Sequence, residues 1–213
     1  MTDWATISSL ATAGGTLVLA MATFASVRTA NRAAHATERS LMAGLRPVLV
    51  QSRIDDADQK VAFVDQHWLH IPGGHGVIDV TDEAIYLAIA VRNAGNGIAV
   101  LDGWSLRTQD RVPGEVHEDV RAFRRLTRDI YVAAGETGFW QGALRDPKDP
   151  QFIAARDRIA AGQDITVDLL YGDHEGGQRT VSRFTLLPTR QPDHDGWLAS
   201  VSRHWNLDRP NPR

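Results

Sequence analysis

The feature that most constrains this chain is a stretch of 24 residues near its N-terminus, 4–27, that contains no charged side chain. A helix rises about 1.5 Å per residue, so the stretch is long enough to cross a hydrocarbon layer about 30 Å thick. We therefore predict a single transmembrane helix that contacts the lipid bilayer through residues 4–27. A cleaved signal peptide, which would need a basic region where Asp3 lies, and a soluble helix are the alternatives. Ala11 and Gly15, one turn apart, would allow close pairing of two such helices in a homodimer.

The charges that flank this stretch predict its orientation. No basic side chain precedes it, whereas four arginines follow it: Arg28, Arg32, Arg39 and Arg46. Basic flanks stay on the cytoplasmic side of a membrane, so the C-terminal part of the chain is expected in the cytoplasm. The sequence thus predicts a single-pass protein of the cell membrane.

Three segments are expected along the chain: a transmembrane anchor at 1–27, a helical stalk at 28–46 and a β-domain at 47–213. The stalk contains good helix formers, and we expect it to end at Gly44, shortly before Pro47.

After Pro47 the sequence consists of short apolar or alternating runs separated by Gly, Asp and Pro, which is typical of β-strands. The predicted strands are 48–54, 60–71, 83–93, 97–108, 129–134, 137–144, 164–173, 179–188 and 196–205. Helices are expected at 115–126 and at 149–162, where Asp149 is a good N-cap and Pro150 suits the first turn. This pattern predicts a mainly β fold, an antiparallel immunoglobulin-like β-sandwich with two short helical inserts. The pairing of residues 129–144 stays open.

Composition excludes several classes of function. The chain contains no Cys, which removes disulfides, thiolate nucleophiles and thiolate metal ligands. Its formal net charge is −3, so no polybasic surface for nucleic acid is expected.

Three segments together resemble those of a known group of proteins. They are RPVLV (46–50), RNAGNGIAV (92–100) and YGDHEGGQRTVSRF (171–184). With the charge-free helix before them, they resemble a broad group of bacterial membrane-anchored proteins of unknown function. The resemblance implies an anchored β-sandwich and implies no catalytic residues.

Two motifs of nucleotide-binding and hydrolytic enzymes are incomplete in this sequence. Gly95 and Gly97 follow a predicted strand, but Val100 takes the place of the third small residue of a dinucleotide fingerprint, and a strand follows. Ser105 lies in half of a nucleophile elbow whose closing Gly is replaced by Arg107. Both segments are interpreted as structural.

The histidine patterns are also incomplete as metal sites. His67, His70 and His75 are close in sequence but are expected to point to different faces of a strand. Three further segments begin like metal motifs without supplying the remaining ligands: His117-Glu118, His174-Glu175 and Asp193-His194-Asp195. Four tryptophans are expected to fill the core: Trp104, Trp140, Trp197 and Trp205. No catalytic, cofactor-binding or metal-binding residue is assigned, and no cofactor is expected.

These observations predict a membrane-anchored interaction or scaffold module with no catalytic role. Exposed strand edges would be its docking sites for an unknown protein partner. Two alternatives stay open: a metal-assisted hydrolase with a His/Asp site assembled from loops, and an extracytoplasmic sensor or envelope-binding domain.

Overall fold

The structure is a computed structural model that describes residues 4–109, 116–191 and 194–210. Within these ranges it describes every side chain except those of residues 4–11, 39, 43, 190, 191, 194 and 195. The chain divides into two compact units, one ending at Gly44 and one beginning at Leu45.

The first unit is one helix, α1 (Trp4–Gly44), of 41 residues. Its interior threonines are compatible with helix because their hydroxyls donate to the carbonyl four residues back, as Thr23 does to Leu19 at 2.8 Å. The helix ends at Gly44, the end that the sequence predicts, whereas a stalk at 28–46 stays a prediction.

In the part of the chain that the structure describes, no helix has both the length and the apolar character needed to cross a membrane. The predicted span, 4–27, is diluted by Ala, Thr, Ser and Gly, and the side chains of its first eight residues lie outside the description. The predicted transmembrane helix is therefore not supported by the structure.

The second unit contains eleven described strands and one helix. The strands are β1 (Leu49–Gln51), β2 (Gln59–Ala62), β3 (Trp68–Ile71), β4 (His75–Val80), β5 (Ile85–Asn93), β6 (Ala99–Arg107), β7 (Arg124–Val132), β8 (Thr137–Leu144), β9 (Ile165–Gly172), β10 (Arg179–Gln191) and β11 (His194–Asn206). The helix, α2, is Pro150–Ala160, and the side chain of Asp149 caps it by accepting from the N–H of Gln151. The predicted helix at 149–162 is confirmed.

Nine of these strands form one antiparallel sheet, in the order β1-β5-β4-β11-β10-β9-β6-β7, with β8 paired to the other side of β5. The sheet curls around a core that includes Leu87 of β5, Trp104 of β6 and Phe184 of β10, all buried. Phe152 of α2 is buried in the same core. β2 and β3 form a hairpin of their own, which packs on the outer face of β5 through Val61, Tyr86 and Ala88, among others.

The described strands form one curled sheet and a small hairpin. The predicted mainly β, antiparallel fold is therefore confirmed, but the finer prediction of an immunoglobulin-like sandwich is not confirmed.

The predicted helix at 115–126 is wrong. Its described part contains a single 3-10 turn, Val120–Ala122, and then the start of β7, because Phe123 packs into a cluster with Trp205 and Val181. The predicted strand at 60–71 is a hairpin, turned at Gln66 with φ 63°. Strand β4 was not predicted.

Two of the segments on which the resemblance rests pack against each other. Asn93 accepts the N–H of Val48 and donates to the carbonyl oxygen of Gly97 at 2.6 Å, so it joins the segment before β1 to the turn after β5. A Cβ on Gly97 would lie 1.8 Å from the carbonyl oxygen of Leu45. The glycine is therefore required by the close approach of two backbones.

Arg46 is part of this junction rather than a free basic flank. It is 9% exposed, donates to Thr180 and Asn206, and pairs with Asp208 near the C-terminal end of the described chain. Its charge is therefore neutralised inside the β-domain.

Candidate functional site

The most unusual feature of the sheet is the boundary between β7 and β8. These strands are consecutive and joined by a short turn, yet β7 pairs with β6 alone and β8 with β5 alone. We call this boundary the seam. Backbone hydrogen bonds hold its closed end. The N–H of Asn93 donates to the carbonyl oxygen of Glu136, and the carbonyl oxygen of Asn93 accepts from the N–H of Gly135 at 2.9 Å. Beyond that turn, the described strands run side by side without pairing.

Strand alternation shows which backbone groups of β8 face the seam. The backbone N–H and C=O of Asn93 point to the β8 side of β5. Those of Val91, two residues earlier, point to the same side, and Val91 lies opposite Gly138. The even-numbered residues of β8 therefore bond to β5. The N–H and C=O of Phe139, Gln141 and Ala143 are directed away from β5, into the seam.

The pairing of β7 with β6 is itself irregular. Leu101 pairs with Ile130, but Gly103, two residues on in β6, pairs with Arg125, five residues back in β7. β7 therefore carries three extra residues here. Such a bulge bends a strand and ends its regular pairing.

A groove of about 160 Å³ lies at the open end of the seam. Trp104, 3% exposed, lies among its lining residues. The walls come from both strands, from β7 through Arg124–Thr127 and from β8 through Gln141–Ala143, with Phe63 and Arg145 beside them. Its size suits one side chain.

Aromatic packing fixes the inner wall of the groove. The rings of Trp104 and Trp140 meet edge to face with centroids 5.4 Å apart. A Cβ on Gly142 would lie 2.7 Å from Trp140 and 2.9 Å from Trp104, so only glycine fits between the two indoles. The indole N–H of Trp140 is buried and has no hydrogen-bond acceptor among the described residues.

Ion pairs hold two arginines at the ends of the groove. Arg124 donates to Asp149 at 2.8 Å and Arg145 to Asp65 at 3.0 Å. The backbone N–H of Gln151 and then Arg124 hold the pKa of Asp149 below its usual value. Burial opposes ionisation of Asp65, but hydrogen bonds from Arg145 and Tyr86 outweigh it and lower its pKa too. Both carboxylates are therefore ionised at neutral pH.

A second polar cluster lies on the outer face of the sheet. Arg183 binds both carboxylate oxygens of Asp168 at 2.7 Å, and both side chains are at most 5% exposed. The guanidinium also lies 4.8 Å from the ring centre of Trp205. A buried bidentate pair under an aromatic ring is a structural contact between β9 and β10.

Ser182 and His204 have the residue types of a catalytic serine–histidine pair, and Oγ of Ser182 lies 2.6 Å from Nδ1 of His204. Ser182 is 0% exposed, so no substrate carbonyl can reach its hydroxyl. Its oxygen also contacts the hydroxyl of Tyr171 at 2.8 Å, and that hydroxyl accepts the N–H of Leu49. These groups form a relay of hydrogen bonds across four strands, β11, β10, β9 and β1.

The histidines singled out in the sequence are not brought together. His67 contacts Asp79 at 2.9 Å and stacks on Tyr86, whereas the ring of His75 contacts the carbonyl oxygen of Gly73. His70 lies exposed on β3. Asp193 lies outside the described residues. Among the described side chains, no group of three or more His, Asp or Glu could hold a metal ion.

The other sequence candidates have structural partners. Ser105 is buried and donates to Glu118 at 2.6 Å, and the ring of His117 packs edge to face on Trp205. His174 and Glu175 lie in the hairpin turn between β9 and β10, as predicted for that segment. Three of the four core tryptophans are buried as predicted, and the fourth is partly buried against the core: Trp104, Trp140, Trp205 and Trp197.

The residues of the seam were not identified from sequence. Their one visible signal is a run rich in arginine: Arg121, Arg124, Arg125 and Arg128.

Comparison with known proteins identifies no relative from which a function could be transferred. No protein family and no curated protein matches the sequence. A crystal structure of a protein from Archaeoglobus fulgidus is similar at 10% sequence identity and a TM-score of 0.24, covering 62% of this chain and 93% of that chain. A similarity at this level carries no information about function.

Proposed function

We propose that the chain is a membrane-tethered, non-catalytic interaction module whose curled sheet binds an extended segment of a partner protein along the seam. The observation that carries this proposal is the absence of pairing between β7 and β8, two adjacent strands of the described chain. A row of unpaired backbone groups is a template for an added strand.

The seam offers both components of recognition by strand addition. The backbone groups of Phe139, Gln141 and Ala143 would bind the backbone of the added segment, which supplies affinity independent of sequence. The adjoining groove, between Arg125 and Gly142, would receive a side chain and supply specificity.

Hydrogen exchange by NMR tests this proposal directly. The full chain in detergent micelles is used to select extended peptides of about nine residues, the length of a long strand. A selected peptide should slow exchange of the Gln141 and Ala143 amides. Protection confined to another edge, such as Lys60 and Val61 of β2, would contradict the proposal, as would the absence of any protection.

A proline variant provides an independent test. Ala143→Pro removes one N–H from the seam side of β8, where a proline leaves the bonds to β5 intact. It should abolish peptide binding while the urea midpoint changes little. Gly142→Pro, which removes an N–H that faces β5, should instead unfold the sheet locally. Unimpaired binding by the Ala143→Pro protein would argue against strand addition.

The tether of this proposal is residues 4–27 of α1. Its support is the absence of charge and the exposure of large apolar side chains between Leu17 and Val27, each at least 54% exposed. A lipid environment would bury this surface and would raise the local concentration of a membrane-bound partner. Pairing of two tethers through Ala11 and Gly15 remains a prediction.

Topology distinguishes a cytoplasmic module from an envelope-binding domain. The native chain has no Cys, so Glu175→Cys in the exposed β9–β10 turn provides a single reporter. Protection from an impermeant maleimide until the cells are lysed is the result expected for a cytoplasmic domain. Labelling in intact cells would assign the domain to the outside. Extraction of the chain by alkaline carbonate would contradict the tether itself.

A further inference from the structure

The charge of the seam narrows the class of partner. Four arginines belong to it: Arg124, Arg125, Arg128 and Arg145. Two of them are neutralised, since Arg124 pairs with Asp149 and Arg145 with Asp65. These two carboxylates also accept from the N–H of Gln151 and from the hydroxyl of Tyr86, at 2.8 and 2.7 Å. They are therefore already engaged and cannot neutralise the remaining arginines.

The other two arginines pair with no carboxylate among the described side chains. Arg125 is exposed, and although its backbone pairs with Gly103 of β6, its side chain forms no hydrogen bond or ion pair within the part of the chain that the structure describes. Arg128 donates to the neutral amide of Gln141 and lies 5.2 Å from the ring centre of Phe139. The seam thus has two guanidinium charges that no acidic side chain among the described residues offsets.

We propose, on the basis of the proposed function, that the segment bound at the seam is acidic and that its carboxylates pair with Arg125 and Arg128. A guanidinium binds a carboxylate through two parallel hydrogen bonds, so a carboxylate combines charge with geometric fit. An added strand brings its side chains alongside β7, where both arginines lie.

The remaining surface disfavours polymeric anions as the partner. The groove, about 160 Å³, holds one side chain, and its tryptophan, Trp104, is too buried to stack on a base. A larger groove of about 400 Å³ around the β9–β10 turn is rich in carboxylates: Asp102, Asp129, Asp173 and Glu175. This acidic surface would repel a nucleic acid that extended beyond the seam.

The test compares two fluorescent peptides of about nine residues that differ only in charge, one alternating valine with glutamate and one alternating valine with glutamine. Binding to the full chain in micelles of a neutral detergent is measured by anisotropy at low and high salt. The glutamate peptide should bind about tenfold more tightly, and the advantage should shrink with salt. Arg125→Gln should lower its affinity several-fold towards that of the glutamine peptide. Arg53→Gln, an exposed arginine outside the groove, is the matched control and should leave binding unchanged.

The outcomes separate this inference from the proposed function. Equal binding of the two peptides, with protection of the Gln141 and Ala143 amides, would overturn the acidic specificity and leave strand addition intact. Binding of neither peptide at the seam would overturn both proposals. Tighter binding of single-stranded DNA or of anionic vesicles than of the glutamate peptide, lost in Arg125→Gln, would assign the seam to another class of partner and overturn the inference.

Discussion

Arg128 of β7 and Gln141 of β8 are joined by a hydrogen bond of 3.1 Å from Nη2 to Oε1, although their strands share no backbone pairing. Gln141 is 5% exposed, so its amide oxygen depends on this bond for a partner. A long side chain thus bridges the seam where a backbone ladder would otherwise run. The bridge crosses the seam where an added strand would lie, so an added strand must displace it to reach the backbone of β8.

A double-mutant cycle should detect this bridge. Arg128→Ala and Gln141→Ala should each destabilise the chain, and their coupling energy should be about 0.5–1 kcal/mol. Urea unfolding of the two single variants and the double variant measures the coupling. Strictly additive effects would mean that the two side chains do not interact across the seam.

The buried pair of Asp168 and Arg183 should respond strongly to loss of one charge. Asp168→Asn keeps the shape of the side chain but leaves a buried guanidinium without its counter-ion, and should cost about 3 kcal/mol of the free energy of unfolding. Asp157→Asn, in an exposed pair with Arg156, should cost less than about 1 kcal/mol. Urea midpoints compare the two variants.

Removal of both charges provides the control for that result. Asp168→Leu combined with Arg183→Met should recover most of the lost stability, because no uncompensated charge remains. A double variant no more stable than Asp168→Asn would show that the polar contacts themselves, rather than charge balance, stabilise this part of the sheet.

Local signals in the sequence predicted several elements of this fold. β8 coincides with its predicted range, 137–144, and α2 begins at its predicted cap, Asp149. In both cases the prediction rests on neighbouring residues alone. The hairpin between β9 and β10 was also predicted, because its Gly-rich turn is flanked by alternating strands.

Elements that depend on distant contacts were not predictable. Val116, Val120 and Phe123 have helical spacing, yet Phe123 is buried against Trp205, which lies more than 80 residues later. The turn at Gln66 lacks the Gly or Asn that usually marks a positive φ. The seam could not be predicted because it results from β7 and β8 each pairing with a different distant strand.

His204 should make stability depend on pH. Burial lowers its pKa below the ordinary value of 6.5, so the unfolded chain binds a proton more readily than the folded one. Stability should therefore fall as pH decreases through about 6.5 towards the lower folded pKa. The contact with Ser182 is compatible with this sign, because an unprotonated Nδ1 can accept from the Ser182 hydroxyl 2.6 Å away.

One substitution separates the contribution of His204 to the pH dependence of stability from the contributions of the seven other histidines. His204→Asn keeps an acceptor for Ser182 but does not titrate, so the part of the pH dependence that His204 contributes below about pH 6.5 should be lost. The comparison is the slope of the unfolding free energy against pH in both proteins. Identical slopes would show that His204 is protonated as readily in the fold as in the unfolded chain.

Gly142 links the stability of the sheet to the shape of the groove. A methyl group at this position would lie within 3.0 Å of both Trp140 and Trp104, so Gly142→Ala must displace one indole and should cost about 1–3 kcal/mol. Gly177→Ala is the matched control, since its Cβ would meet only Asp173, at 3.8 Å. Because Trp104 lines the groove, Gly142→Ala should also weaken peptide binding at temperatures where the chain stays folded. Full stability in Gly142→Ala would mean that the two indoles yield without cost, and unchanged peptide affinity would mean that the groove does not depend on where Trp104 lies.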